Sequence, residues 1–541
     1  MKDHHHTDLV SLLEYRAALD EGAPLYSFLN SHGECTVRLT FGDVYSMASR
    51  IAIALQQSGL YGKPVALLYL HGADFVIGFW GCVLAGAWPL PLTKGRGQSP
   101  ENVAAILKRS CVSHVLGSEA LLAQLPPDIK RYSNPQLFAL ANESMFVRPV
   151  VLSRAGDNAF IQYTSGSTSD PKGVVISHAN VMDNLARITL AFGCGENDTG
   201  LSWLPFHHDM GLVGHILQPV YAGIHNYFMP PGAFLARPAR WLEVISRYDV
   251  TISGAPNFAY RLCVNRIQPK DLPVSRVNLD SWRVAYCGSE KINATTLTDF
   301  AGKFSTLGFS PAALRPCYGL AESTLFVSGR QGVKLPAKSH AVVSARTPPI
   351  SVGTVDTSVR IVDPVSREEC TPGVAGEIWI ASLSVADEYF LDQKKTSETF
   401  GQRLPGSGMA FMRSGDLGFI EDGELYVIGR LKNVIKVRGR PLYAEDIELA
   451  LERSGDSLGL TRAVALPIDV DGCEALGILV ECSRRREAAK TSKLIVSHVT
   501  EHVCAASGVL PSAVVVVAHG QLPLTTSGKV RRSECQKYFT D

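Results

Sequence analysis

The sequence predicts an α/β protein in which a large N-terminal domain of helix-covered parallel sheets carries a β subdomain and is followed by a small α+β domain. Three observations lead there. Short apolar runs alternate with helical patterns from about residue 40 to 330, which is how parallel sheets with covering helices are written. From about residue 350 the text changes to short strands separated by turns. After Arg430 it changes again, to about a hundred residues mixing amphipathic helices and strands.

The runs "PVALLYL", "HVLGS", "NAFIQYTSGS", "VTISGAP" and "WRVAYCGSE" supply the strands of the first region, each ending in small or polar residues. Between them, "TFGDVYSMASRIAIALQQSG" spaces its apolar residues as a helix does and stops at Gly59. In such folds ligands collect beyond the carboxyl ends of the strands, where several of these Gly/Ser-rich turns fall. "SVRIVDP", "GEIWIAS" and "DGELYVIGR" form the β subdomain, about residues 350–430. Beyond it, "EDIELALERSG" places Ile447, Ala450 and Leu451 on one helical face, and "KLIVSHVTEHVCAASG" does the same with Ile495, Val499, Val503 and Ala506. The strands "LGILVEC" and "SAVVVVAHG" flank that second helix. The boundaries read as 1–430, a connection at 431–433, and 434–541.

Composition narrows the function. The chain has 541 residues, 46% hydrophobic and 19% charged, which suits a packed soluble protein rather than a disordered one. Lys and Arg number 52 against 51 acids, for a net charge of +1, so the basic excess of a nucleic-acid binder is missing. Twelve cysteines form no C-x-x-C pair, which points away from zinc and redox motifs. The first residues carry acids throughout and lack a signal-type apolar core, and the most apolar region is broken by His71 and Asp74. A reduced, cytoplasmic protein without integral membrane association is expected. The Asn-x-Ser/Thr triplets at Asn142, Asn197 and Asn293 carry no weight without a secretory signal.

The stretch "YTSGSTSDPKG", Tyr163 to Gly173, follows a strand and offers hydroxyl and backbone donors beside a lysine. Thr164, Ser165, Gly166, Ser167, Thr168 and Lys172 can together cradle a phosphate. The Walker spacing is absent, and taken alone the loop could equally be a solvated Ser/Gly turn. It is followed in order by "LPFHHDMGLVG" (204–214), "YCGSE" (286–290), "YGLAEST" (318–324), "RSGDLG" (413–418), "GRLKNVIKVRG" (429–439) and "LPLTTSGKVRR" (522–532). This ordered set resembles the adenylate-forming superfamily of acyl-CoA synthetases, peptide-synthetase adenylation domains and luciferase, over about residues 38–535.

The resemblance implies an ATP- and Mg²⁺-dependent enzyme that turns a carboxylate into an acyl-adenylate, releases pyrophosphate, and passes the acyl group to a thiol. Lys529 is similar to the lysine that reaches the α-phosphate and the carboxylate. Glu322 matches the glutamate that holds Mg²⁺, and carboxylate oxygen is the hard donor such an ion takes. Asp416 is similar to the aspartate that accepts both ribose hydroxyls, as a carboxylate can, and Arg430 supports the same ribose. Gly288, Ser289 and Glu290 resemble the adenine-facing strand end. Tyr318 and Gly319 resemble the turn that stacks on it, although a buried structural tyrosine would read the same way. His208 is expected at the border of the acyl pocket, in contact with the reacting carboxylate. A metal reading of His207–His208–Asp209 lacks evident further ligands, and neighbours on an extended chain point apart. Lys432 falls on the family's hinge, about which the small domain turns between half-reactions, and Asn433 replaces the usual acid after it.

Within the superfamily, "LPFHHDMGLVG" and "SGAPNFAYRLC" (253–263) look like the fatty acyl-AMP ligases, as does "VRGRPLYAEDIE", where Pro441, Leu442 and Ala444 depart from the pattern. That branch passes its acyl-adenylate to the phosphopantetheine of a holo acyl carrier protein. His207 in place of the branch's tyrosine, and an unusually short 331–350 interval, leave transfer to free coenzyme A as the alternative, with an inactive nucleotide- or acyl-binding relative further behind. Met210, Leu212, Val213 and Phe258 are apolar candidates for the acyl pocket, although each would serve equally well as core.

Overall fold

The computed structural model describes residues 6–92, 100–127, 129–142, 154–164, 172–272, 277–337, 348–437, 440–454, 458–470, 473–483, 489–524 and 530–539. Its centre is an eight-stranded sheet. In spatial order the strands are Phe326–Gly329, Leu314–Gly319, Val284–Cys287, Ile252–Ala255, Thr199–Ser202, His225–Phe228, Pro24–Leu29 and Cys35–Thr40. The inner strands are parallel, and the two edges close with antiparallel partners. A second parallel sheet of Trp88–Pro91, Pro64–Leu68, His114–Gly117 and Lys130–Tyr132 stands beside it.

Helices cover these sheets for reasons visible in their ends. Phe41–Gln57 begins with a capping box, Thr40 accepting from Asp43 N while the Asp43 carboxylate accepts from Thr40 N. His178–Phe192 starts the same way at Ser177 and stops on Gly193 in the left-handed region. Asn293, one of the triplet asparagines, caps the helix Ala294–Phe304 by accepting from Thr295 N.

One run departs from the parallel expectation. Asn158–Thr164 pairs antiparallel with Lys172–Ser177, Thr164 opposite Lys172. The seven residues between them are too few for a crossover helix, so the phosphate-loop candidate closes a hairpin. Glu388–Tyr389 adds a third strand against that hairpin, opposite Val175 and Val174.

The β subdomain is a five-stranded antiparallel sheet, ordered Ser351–Thr354, Glu424–Arg430, Met412–Glu421, Gly376–Ile380 and Val359–Val362. From residue 434 the chain forms a hairpin, Val434–Val437 with Arg440–Tyr443, then a three-stranded sheet flanked by helices Ala444–Ser454 and Ala489–Ser507. Ile435, Ile447, Leu451, Ile478, Val499 and Val503 lie in a core of their own. No helix among the described residues is long and apolar enough to cross a membrane.

Candidate active site

The strand pair Met412–Glu421 and Glu424–Arg430 sets Asp416 directly opposite Arg430. Asp416, 5% exposed, is held between two donors. Arg430 Nε approaches its Oδ1 at 2.9 Å, and Tyr318 Oη donates to its Oδ2 at 2.8 Å. The backbone is fixed as well, Asp416 N donating to Ser414 Oγ, whose hydroxyl donates to Ile378 O. Asp416 raises the pKa of Arg430, and burial followed by the Asp416 charge raises that of Tyr318. Three residues predicted to serve the nucleotide, from two different sheets, therefore meet around one carboxylate.

Tyr318 and Gly319 end the strand Leu314–Gly319, and the turn after them carries Glu322. Gly319 is required there, because a Cβ would lie 1.7 Å from Leu325 O. Asn184 braces the same turn, its amide donating to Ser323 O and Phe326 O and accepting from Phe326 N. Tyr389 Oη donates to Glu322 Oε1 at 2.8 Å, and Lys172 Nζ sits 4.5 Å from the centre of the Tyr389 ring. Tyr389 went unrecognised in the sequence: the cue was a two-residue strand whose register against 174–175 appears only in three dimensions.

Positive charge gathers on this side. Desolvation lowers the Lys172 pKa, Glu322 opposes the shift, and Lys395 and Arg430 add to it. Lys432 is pushed down to about 8, by desolvation first and then by Arg430 and Lys172. Cations this close depress one another and are relieved by a bound polyanion. Among the described residues no group of three His, Cys, Asp or Glu side chains could hold a metal ion. Glu322 by itself suits Mg²⁺, which characteristically takes one or two carboxylates plus the oxygens of its phosphate ligand.

Gly288, Ser289 and Glu290 follow the strand Val284–Cys287 at its carboxyl end. A Cβ on Gly288 would meet Cys317 Sγ at 2.9 Å, and Glu290 Oε1 accepts from Phe258 N at 2.5 Å. Gly288, Ser289, Tyr318 and Gly319 form one mouth of a mostly apolar cavity of about 80 Å³. Asp209 and Met210 stand at the same mouth. His208 precedes the helix Asp209–Leu212 as its N-cap, with Nδ1 2.5 Å from Asp209 Oδ1. His207 is tied in from the other side, its carbonyl accepting from Gln162 Nε2 at 2.7 Å. Burial, then the neighbouring His208 and His71, push the His207 imidazole down to about 3.

The cavity draws its walls from other residues than most of those expected. Met210 lines it. Leu212 and Val213 are fully buried in the core and do not, while Phe258 packs edge-on against Trp203, 6.3 Å between centroids. The lining instead includes Ile188, Phe192, Ile224, Ile252 and Phe326, drawn from helices and strands far apart in sequence. Of the remaining candidates, Thr164 lies at the hairpin end beside Lys172, whereas Ser165, Gly166, Ser167, Thr168 and Lys529 lie outside the described residues.

Residues 14–390 match the model of the AMP-binding enzyme family. The chain is 34% identical to the medium-chain-fatty-acid acyl-carrier-protein ligase JamA of Moorena producens, over 98% of this chain and 95% of that protein. It is 32% identical to the long-chain-fatty-acid AMP ligase FadD23 of Mycobacterium tuberculosis, covering 93% and 90%. A solved structure from a study of fatty acyl-adenylate ligases of E. coli and L. pneumophila superimposes with a TM-score of 0.87 at 28% identity, covering 99% of this chain and 98% of that one.

Proposed function

The chain belongs to the AMP-binding enzyme family, and from that premise we propose that it uses ATP to activate a fatty carboxylic acid as its acyl-adenylate and then delivers the acyl group to the phosphopantetheine thiol of an acyl carrier protein. The observation that carries this reading is the junction of two sites. The Tyr318–Asp416–Arg430 cluster opens onto the mouth of the apolar cavity through Tyr318 and Gly319, which belong to both. A nucleotide on the cluster and an acyl chain in the cavity bring α-phosphate and carboxylate together at that mouth.

Each residue then has a chemical task. Asp416 exchanges its Tyr318 and Arg430 partners for the ribose hydroxyls, or shares them, because a carboxylate offers about four acceptor sites. Lys172, with the loop 165–171, neutralises the outer phosphates, and Arg430 and Lys432 extend the same positive field. Glu322, steadied by Tyr389, would hold Mg²⁺, which when bound offsets charge on the phosphates. Lys529 brings its ammonium to the α-phosphate, where carboxylate and phosphate otherwise repel. His208, oriented by Asp209, faces the reacting carboxylate. Residues 1–430 act as the large domain and 434–541 as the small one, turning at 431–433 between the two half-reactions.

The test is fatty-acid-dependent exchange of pyrophosphate into ATP. Wild type should exchange, and Lys529→Ala should lose about 10²–10³ in rate while keeping its thermal midpoint. Exchange near the wild-type level in the lysine variant would remove Lys529 from the mechanism.

A further inference from the structure

The wall of the cavity contains a π-helix, Val213–Leu217, between the short α-helices Asp209–Leu212 and Gln218–Ala222. Such segments occur frequently at functional sites. Here Gly214, His215 and Gln218 all line the cavity.

Three of the polar groups on the lining satisfy one another. Tyr286 Oη lies 2.6 Å from His215 Nε2, and His215 Nδ1 lies 2.9 Å from Asn226 Oδ1. A neutral ring donating from Nδ1 and accepting at Nε2 leaves neither nitrogen unmatched. Gln218 is different. It is 4% exposed, and its amide nitrogen donates to Thr189 Oγ1 at 2.7 Å. Its buried Oε1 has no partner, and among the described lining side chains no other has such an atom. Exchanging the amide oxygen and nitrogen would leave a buried donor in place of a buried acceptor, so the deficit survives either assignment.

The depth of this group follows from the chain path. Asp209 is at the mouth, and the helical segment runs from there down to Gly223, which leads into the start of the strand His225–Phe228. Gln218 comes nine residues after Asp209, so it lies about two helical turns further along that segment. Asn226, Gly200 and Ile252, at the amino ends of their strands, line the cavity at this depth. The Gln218 side chain therefore borders the far part of an acyl chain whose carboxylate sits at the mouth, with its Oε1 itself buried.

We propose that the acid taken by this cavity carries a hydroxyl near its ω end, recognised by Gln218. A hydroxyl both donates and accepts, so it completes either face of the amide, whereas a methyl terminus leaves the amide unmatched. The proposal rests on the acyl-adenylating reading above and names its substrate class.

The experiment measures kcat/KM for adenylate formation with dodecanoate, 3-hydroxydodecanoate, ω-hydroxydecanoate and ω-hydroxydodecanoate. Wild type should favour ω-hydroxydodecanoate over dodecanoate by about 10-fold, with no such gain for the 3-hydroxy acid. Gln218→Leu and the closer isostere Gln218→Met should bring that ratio to about one or below, a change that a general loss of folding would not produce. Dodecanoate adenylated as well as or better than its ω-hydroxy form by wild type would overturn the inference and leave the adenylating reading standing. Absence of any adenylate from all four acids would overturn both.

Discussion

Asn433 stands where the family resemblance expects an acid, and the structure supplies the reason. Its Nδ2 donates to Glu445 Oε1 at 2.6 Å, joining the connection at 431–433 to the helix Ala444–Ser454. An acid at 433 would face Glu445 with like charge, so in this chain the neutral amide and the glutamate suit each other. Lys291, just after Glu290, pairs with Asp446 of the same helix, so the helix is also tied to the segment that follows the strand Val284–Cys287. Asn433→Asp should loosen this end of the helix and speed tryptic cleavage beside Lys432 several-fold, as limited proteolysis would read. Cleavage at the wild-type rate would mean that the amide latch does not restrain the connection.

At the scale of elements, the turn from Tyr318 to Phe326 joins the Tyr318–Asp416–Arg430 cluster to the cavity, and its shape depends on Gly319. Gly319→Ala drives a methyl toward Leu325 O, a backbone atom that cannot swing aside. Displacing Tyr318 and Glu322 by about 1 Å should cost roughly 10²-fold in adenylation, measured as pyrophosphate release. A nearly unchanged rate would show that the turn adapts. This turn also shows what sequence can and cannot convey. Tyr318, Asp416 and Arg430 could be picked out because each stands in a short motif resembling the family's, and the structure brings the three together. The parallel strands were legible because burial on both faces writes continuous apolar runs. The cavity walls were not, since Ile188, Phe192, Ile224 and Ile252 look like any core residues until the strands are placed side by side. Leu212 and Val213 share the motif of His208 and Met210, yet helical geometry turns them into the core. The hairpin at 158–177 was misread as part of a parallel sheet because a central strand and a hairpin arm share the same apolar run.

For the molecule as a whole, buried neutral histidines set the response to acid. His178 accepts from Leu9 N at 3.2 Å and His215 sits in the cavity wall, and burial pushes both down to about 4. In the unfolded chain they titrate near 6.5, so between about pH 6.5 and 4 the unfolded state binds more protons. Stability is therefore full above about pH 6.5 and falls as pH drops through that window. Thermal midpoints taken between about pH 7.5 and 5 should decline on the acid side, and His178→Asn, which keeps an acceptor for Leu9 N, should make the decline shallower. An unaltered slope would assign the acid response to other groups. The account as a whole rests on one site running activation and delivery. Its most direct test is product analysis with labelled dodecanoate and an ω-hydroxy acid in Mg-ATP, alone, with coenzyme A, and with a holo acyl carrier protein. Adenylate that accumulates alone, persists with coenzyme A and moves onto the carrier is the predicted result; conversion to acyl-CoA, or no adenylate from either acid, would contradict it.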